Sequence, residues 1–186
     1  HECDFPQTVQ SLPKLTSSSV DTNLSSAKIH ESVLEIMKSA ISVYNLDIEL
    51  LKSLQPDFII TQDLCDVCAV SFDQVEKACQ EVLETDARII SLKPKMLDDI
   101  WNDIQNVADH LSVPGQGHKF REEANQRIDS VKSRLQNRNR PKILTIEWID
   151  PIYIGGMWLP EMIDIVGGEV CFAESGKKAP VVSRED

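Results

Sequence analysis

DFIITQDLCDVCAVSF, residues 57–72, is the stretch from which the fold follows. Phe58-Ile59-Ile60 is a short apolar run of the kind that fills a buried strand. Gln62 and Asp63 lead into Cys65-Asp66-Val67-Cys68. Ser71 then offers an N-cap for an amphipathic helix opening at Phe72. Strand, polar loop and helix make the half-unit of an α/β sheet, and open α/β sheets bind ligands at the carboxyl ends of their strands. Two thiols, two carboxylates and an amide therefore stand where such sheets do their work.

Downstream, Phe72 to Leu83 carries a helical stripe of Phe72, Val75, Cys79 and Val82. Ala87 to Leu92 is a second strand, broken by Pro94. Met96 to Leu111 is a helix with Leu97, Ile100, Trp101, Ile104, Val107, Ala108 and Leu111 inward. Pro114-Gly115-Gln116-Gly117 ends it, and His118 to Arg138 forms a long helix with a narrow seam of Phe120, Ala124, Ile128, Val131 and Leu135. Such a helix, apolar on a thin line and charged elsewhere, lies across the outside and bridges parts. Asn139-Arg140-Pro141 stops it. Lys142 to Ile146 is a strand leading into Glu147-Trp148-Ile149-Asp150-Pro151. A further unit follows, with Gly155-Gly156-Met157-Trp158 opening a helix through Val166. Upstream, residues 7–27 are rich in Ser and Thr and read as a surface loop. Ile29 to Ile41 is a helix with Ile29, Val33, Ile36, Met37 and Ala40 on one face. Tyr44 to Asp47 is a turn, and Asp47 caps a short helix through Leu54. The fold class is α/β. Two Rossmann-like lobes are joined by one long helix: a first lobe over 1–111, a linker and bridging helix over 112–140, and the start of a second lobe over 141–186.

Composition narrows the function. The net charge of −11 argues against a nucleic-acid partner, which would need basic clusters facing phosphates. Residues 118–142 alone carry +5, leaving −16 on the remainder, and that basic run is the solvated face of the long helix. No apolar run reaches the ~18 residues that insertion into a bilayer requires. Five cysteines leave at least one unpaired in a monomer and are too few for a disulfide scaffold. His1 stands where an initiating Met would, and Ser183-Arg184-Glu185-Asp186 resembles the first turn of a helix without its body. The chain thus reads as a piece of a longer protein truncated at both ends. An unfilled sheet edge would favour homodimer pairing.

Three chemistries fit Cys65 and Cys68. They suit a soft metal such as zinc, with His1 and Cys3 bringing the ligand count to four. They suit a redox pair at a helix N-terminus, a thiol oxidoreductase arrangement. They also suit a structural lining. Cys79 falls on a core stripe, and Cys171, after Gly167-Gly168, is read as core too. His30, His110 and His118 lie on helices without partners at ligand spacing. Trp148, Tyr153 and Trp158 cluster after the second-lobe strand. Aromatics there would stack on a flat apolar ligand, the competing role being helix-to-sheet packing. Trp101 belongs to a core stripe. There is no G-x-S-x-G, phosphate loop or metalloprotease helix, and the Glu147/Asp150 pair lacks a nucleophile, so the chain reads as a non-enzyme. None of the motifs calls for a required cofactor.

HECDFP at 1–6, L-x-x-L-x-P-D-x-I-x-T-Q at 51–62, D-x-C-D-V-C-A-V at 63–70, E-W-I-D-P at 147–151 and G-G-M-W-L-P-E at 155–161 together resemble the class III substrate-binding proteins of ABC importers. This is the TroA-like, helical-backbone family, and within it the cobalamin (vitamin B12) and Fe(III)-siderophore group. The resemblance implies two α/β lobes joined by a stiff helix, with a small-molecule ligand, cobalamin or a related metal chelate, gripped in the cleft between them. It also implies that a first strand and most of the second lobe are the missing parts. It implies a first cleft wall of His1, Glu2, Cys3, Asp4, Gln62, Asp63, Cys65, Asp66 and Cys68. The second wall would be Glu147, Trp148, Asp150, Tyr153, Met157 and Trp158. The branch more often carries histidine where Met157 stands. A metal-ion protein on the same scaffold, using His1, Cys3, Cys65 and Cys68, is the alternative. The partner implied is a transporter permease, docked through acidic residues such as Asp73 and Glu76. The family role implies a periplasmic or lipid-anchored extracellular location, whereas free C-x-x-C thiols fit a reducing compartment better.

Overall fold

The computed structural model describes residues 4–38, 43–64, 72–83, 87–135, 138–183 and 185, with backbone alone at 72–74. The chain divides into two compact units, His1–Leu92 and Lys93–Asp186.

In the first unit, β1 (Thr16–Ser18) pairs antiparallel with β2 (Tyr44–Leu46). Two further backbone bonds extend the pairing, Ser19 N–H to Val43 O at 2.8 Å and Asp47 N–H to Leu15 O at 2.9 Å. The surface loop expected over 7–27 therefore contains a strand, preceded by a 3-10 helix at Gln7–Ser11, and the turn expected at Tyr44 is the partner strand. Three polar residues satisfied by long-range pairing carry no local strand signal. α1 (Ser26–Lys38) keeps Ile29, Val33 and Ile36 half-buried, while Met37 is exposed. Asp47 caps α2 (Ile48–Leu54), its Oδ1 accepting from Leu50 N–H at 2.9 Å. β3 (Phe58–Gln62) then pairs in parallel with β4 (Arg88–Leu92), Phe58 opposite Arg88 and Gln62 opposite Leu92. α3 (Phe72–Val82) lies between them in sequence and completes the expected βαβ unit. Leu51, Val75, Ala78 and Cys79 form the core, with Ile59 and Ile89 packed against it. Cys79 is thus a buried core residue, and burial pushes its thiol pKa up.

The second unit opens with a helical hairpin. α4 (Leu97–His110) and α5 (Pro114–Arg134) are joined by only three residues, among them an exposed Leu111. Pro114 does not merely end the preceding helix. It occupies the first turn of α5, where its missing N–H is no loss, so α5 begins four residues before His118. Gly117 sits buried at the crossing, and a Cβ there would lie 2.6 Å from Gln105 Oε1 and 2.9 Å from Ala108 Cβ. Ala108 and Ala124 are buried nearby, and the Trp101 and Phe120 rings pack tilted with centroids 6.1 Å apart. Arg121 ties the helices by donating to Asn102 Oδ1 at 2.9 Å and Asp98 Oδ1 at 2.5 Å.

Beyond α5 the strand expected over Lys142 to Ile146 is two strands in two sheets. β5 (Lys142–Ile143) pairs in parallel with β8 (Glu169–Val170). β6 (Ile146–Ile149) joins β7 (Ile152–Ile154) and β9 (Val181–Val182) in an antiparallel sheet. α6 (Leu159–Ile165) crosses over between the sheets, and buried Ile154 and Ile163 fill the interior. Arg140 fastens the α5–β5 connection, donating to Asp164 Oδ1 at 2.5 Å and Gly168 O at 2.6 Å.

Candidate functional site

The β6–β7 hairpin and the loop after it carry the second-unit residues singled out from the sequence. Register places Trp148 directly opposite Tyr153. Directly opposed residues on an antiparallel pair present their side chains on the same face. Trp148 is half-buried and its indole N–H donates to Asp150 O at 3.0 Å, folding the ring back over the exposed hairpin turn. The pairing shifts between Ile146 and Trp148, so Glu147 falls at a bulge. Such an extra residue re-aims its side chain.

Behind the hairpin, three consecutive amides are each held by a different acceptor. Gly155 N–H donates to Thr145 O at 2.9 Å, Gly156 N–H to Glu147 Oε1 at 3.3 Å, and Met157 N–H to Lys177 O at 2.7 Å. Gly176 N–H returns a bond to Met157 O at 2.9 Å. Gly156 is buried against the 177–179 backbone, and a Cβ on it would stand 2.5 Å from Ala179 N and 2.8 Å from Lys177 O. Met157 adopts φ +54°, a left-handed backbone that non-glycine residues hold only when their surroundings enforce it. Met157 and Trp158 are both half-buried, and α6 starts immediately after them. The Gly-Gly doublet was the visible signal of this loop. Thr145, Lys177 and Ala179, which hold it in place, were not visible, because they contribute backbone atoms or small groups.

In the first unit the parallel ladder ends at Gln62, which is exposed, and continues one bond further through Asp63 N–H to Leu92 O at 2.9 Å. Asp63 is thereby fixed by its main chain at the carboxyl end of β3. Asp4 is exposed, and its carbonyl accepts from Gln10 Nε2 at 3.3 Å. Glu76 is exposed on α3. His1, Glu2, Cys3, Cys65, Asp66, Cys68 and the Asp73 side chain lie outside the described residues, and with them the whole proposed metal set. Among the described residues no group of three or more His, Cys, Asp or Glu side chains could hold a metal ion. Cys171 is half-buried rather than core. No helix among the described residues is long and apolar enough to cross a membrane.

Three carboxylates in the second unit are also well defined. Glu161 Oε2 accepts from Leu97 N–H at 2.6 Å, tying α6 to the start of α4. Asp99 accepts from Lys95 N–H and Met96 N–H, both at 2.9 Å, and these bonds hold its carboxyl below the usual range. Burial raises Asp103, partly opposed by a bond from the Lys93 backbone, and its Oδ2 has no hydrogen-bond partner.

Comparison with known proteins places this geometry in context. A family model described as periplasmic binding protein matches residues 14–186. The vitamin B12-binding protein of Yersinia pestis is 24% identical over 143 residues, covering 75% of this chain and 48% of that protein. The chain spans about half the length of the curated relatives it matches. Among solved structures, the periplasmic vitamin B12 binding protein BtuF of Vibrio cholerae superposes with a TM-score of 0.55 at 23% identity, covering 76% of this chain and 53% of that one. A periplasmic heme-binding protein from Pseudomonas aeruginosa gives 0.56 at 15% identity, covering 76% and 50%. At these identities the structural matches establish a shared fold.

Proposed function

The chain belongs to the periplasmic binding protein family, and we propose on that footing that it acts as the solute receptor of an ABC importer for cobalamin or a related corrinoid or metal chelate. The observation that carries this reading is the Trp148–Tyr153 cross-strand pair, set beside a Met157–Trp158 loop whose backbone is tied down on both sides. Two aromatic rings on one face offer a flat apolar surface, which suits a planar macrocycle. Each aromatic side chain can bury about 150–250 Å². The loop is fixed before ligand arrives, so little ordering entropy is lost on binding. The curated relatives are named for vitamin B12, which supports a corrinoid as the class of ligand.

The function needs no bond making. Burial of the ligand's apolar face supplies affinity, and the polar atoms around the hairpin, Asp150 among them, set its orientation. The partner that receives the ligand is a transporter permease, for which exposed Glu76 offers a docking carboxylate. The receptor works outside the cytoplasmic membrane, in the periplasm or tethered to the cell surface.

Calorimetric titration of hydroxocobalamin into the chain, with metal content assayed on the same sample, tests the reading. One-to-one binding at micromolar affinity or tighter in metal-free protein is the expected result. About one zinc per chain and no heat with cobalamin would replace it with a metal-binding role for Cys65 and Cys68.

A further inference from the structure

We propose that Glu147 is a positioning residue: its carboxylate latches the Gly156 amide and thereby holds the Met157–Trp158 loop in the shape that receives ligand. The inference rests on the solute-binding reading and deepens it, since the family resemblance implies that Glu147 contacts the ligand itself.

Three observations converge. The bulge in the β6–β7 pairing falls at Glu147, which takes this residue out of the regular ladder while Trp148 keeps its partner. Its Oε1 then accepts from Gly156 N–H at 3.3 Å. Of the three consecutive loop amides, Gly155 and Met157 donate to main-chain oxygens of Thr145 and Lys177, and only the middle one meets a side chain. Main-chain acceptors survive any substitution, so Glu147 is the single replaceable bond in the clamp.

The surroundings make that bond matter. Gly156 is buried, with the Ala179 backbone where a Cβ would be, so the chain is closed in at this residue. A buried donor without an acceptor is strongly disfavoured. The residue after it, Met157, is held at φ +54°. Rotation of the Gly155–Gly156 peptide changes Gly156 φ, and the displacement passes along the chain to Met157, whose left-handed backbone is the strained element of the loop. Trp158, next in the chain, would move with it. Glu147 thus acts on the aromatic surface through the loop backbone and not by touching the ligand.

The test compares Glu147→Ala and Glu147→Gln in the full chain with two readouts. One is hydrogen exchange of the Gly156 and Met157 amides in ligand-free protein. The other is hydroxocobalamin affinity by calorimetry. A glutamine oxygen still accepts the bond, so Glu147→Gln is expected to keep both wild-type exchange and wild-type affinity. Glu147→Ala is expected to speed exchange at both amides and to weaken affinity about tenfold. Unchanged exchange in Glu147→Ala overturns the latch. Wild-type exchange with lost affinity in Glu147→Gln also overturns it, because the carboxylate would then be serving the ligand directly. If wild-type protein binds no cobalamin, the solute reading fails on its own, and the exchange arm still decides whether the latch exists.

Discussion

The α4–α5 hairpin and the 145–158 segment lie in the same compact unit and are held by opposite means. At the helix crossing, small residues let two backbones approach, and Gly117, Ala108 and Ala124 are buried there. Side-chain volume decides the contact. In the 145–158 segment two glycines also stand where a Cβ would not fit, but the shape is set by hydrogen bonds from consecutive amides to Thr145 O, Glu147 Oε1 and Lys177 O. A packed crossing stores stability, because close-packed interiors resist any change of volume. A loop pinned amide by amide stores accuracy, and the aromatics proposed to receive ligand are attached to the second kind of element.

That contrast breaks most visibly if the crossing is overfilled. Gly117→Leu would drive a side chain into Gln105 and Ala108, and we expect it to destabilise the protein by about 3 kcal/mol in denaturant unfolding. Any protein that remains folded should keep its cobalamin affinity. Equal losses in stability and affinity would show that the two regions are not separable. Trp148→Ala probes the other side. Truncating a central aromatic anchor should weaken hydroxocobalamin binding by about 2 kcal/mol, roughly thirtyfold. Its effect on the unfolding midpoint should be smaller than that of Gly117→Leu. An affinity within twofold of wild type would assign Trp148 to sheet packing alone.

The same contrast explains what could be read in advance. Periodic features were legible: the α3 stripe that buries Val75 and Cys79, the strand at β3 although its Ile60 is exposed, the inward face of α4 and the Asp47 cap. Each depends on residues a few positions apart. Features fixed across long separations were not legible. Thr16–Ser18 is a strand only because residues 44–46 pair with it. Leu144-Thr145 interrupts what looks like one strand because the two halves serve different sheets. Pro114 was read as a stop, although proline both ends one helix and opens the next, and only the geometry tells which. In the candidate site, the aromatic hairpin was visible as a cluster after a strand. The acceptor role of Glu147 toward an amide nine residues away has no periodic signature.

A smaller effect sharpens the comparison within the first unit, where α2 is held by neither device. Asp47 Oδ1 satisfies Leu50 N–H at the helix start, and Leu51 behind it is buried in the core. Asp47→Ala should cost about 1 kcal/mol of unfolding free energy. No change would mean that water replaces the cap at no penalty.

The finest distinction lies inside α4 itself, between two carboxylates one turn apart. Asp99 is held low by the Lys95 and Met96 amides, so its contribution to stability is present above the unfolded carboxylate pKa and is lost as acid protonates it. Asp103 is raised by burial, so ionising it works against the fold. That penalty is complete above its raised folded pKa and disappears below the unfolded value. Replacing each by asparagine therefore has opposite signs. Asp99→Asn should lower the melting temperature at pH 7, since an amide offers a weaker acceptor to two N–H donors. Asp103→Asn should raise it, because the side-chain oxygen can still take the Lys93 bond while the buried charge is gone. Both differences should shrink toward wild type as the pH falls below about 4, the ordinary carboxylate range. Melting curves recorded from pH 3 to pH 7 read this directly, and two variants displaced to the same side at pH 7 would show that the carboxylates share one environment.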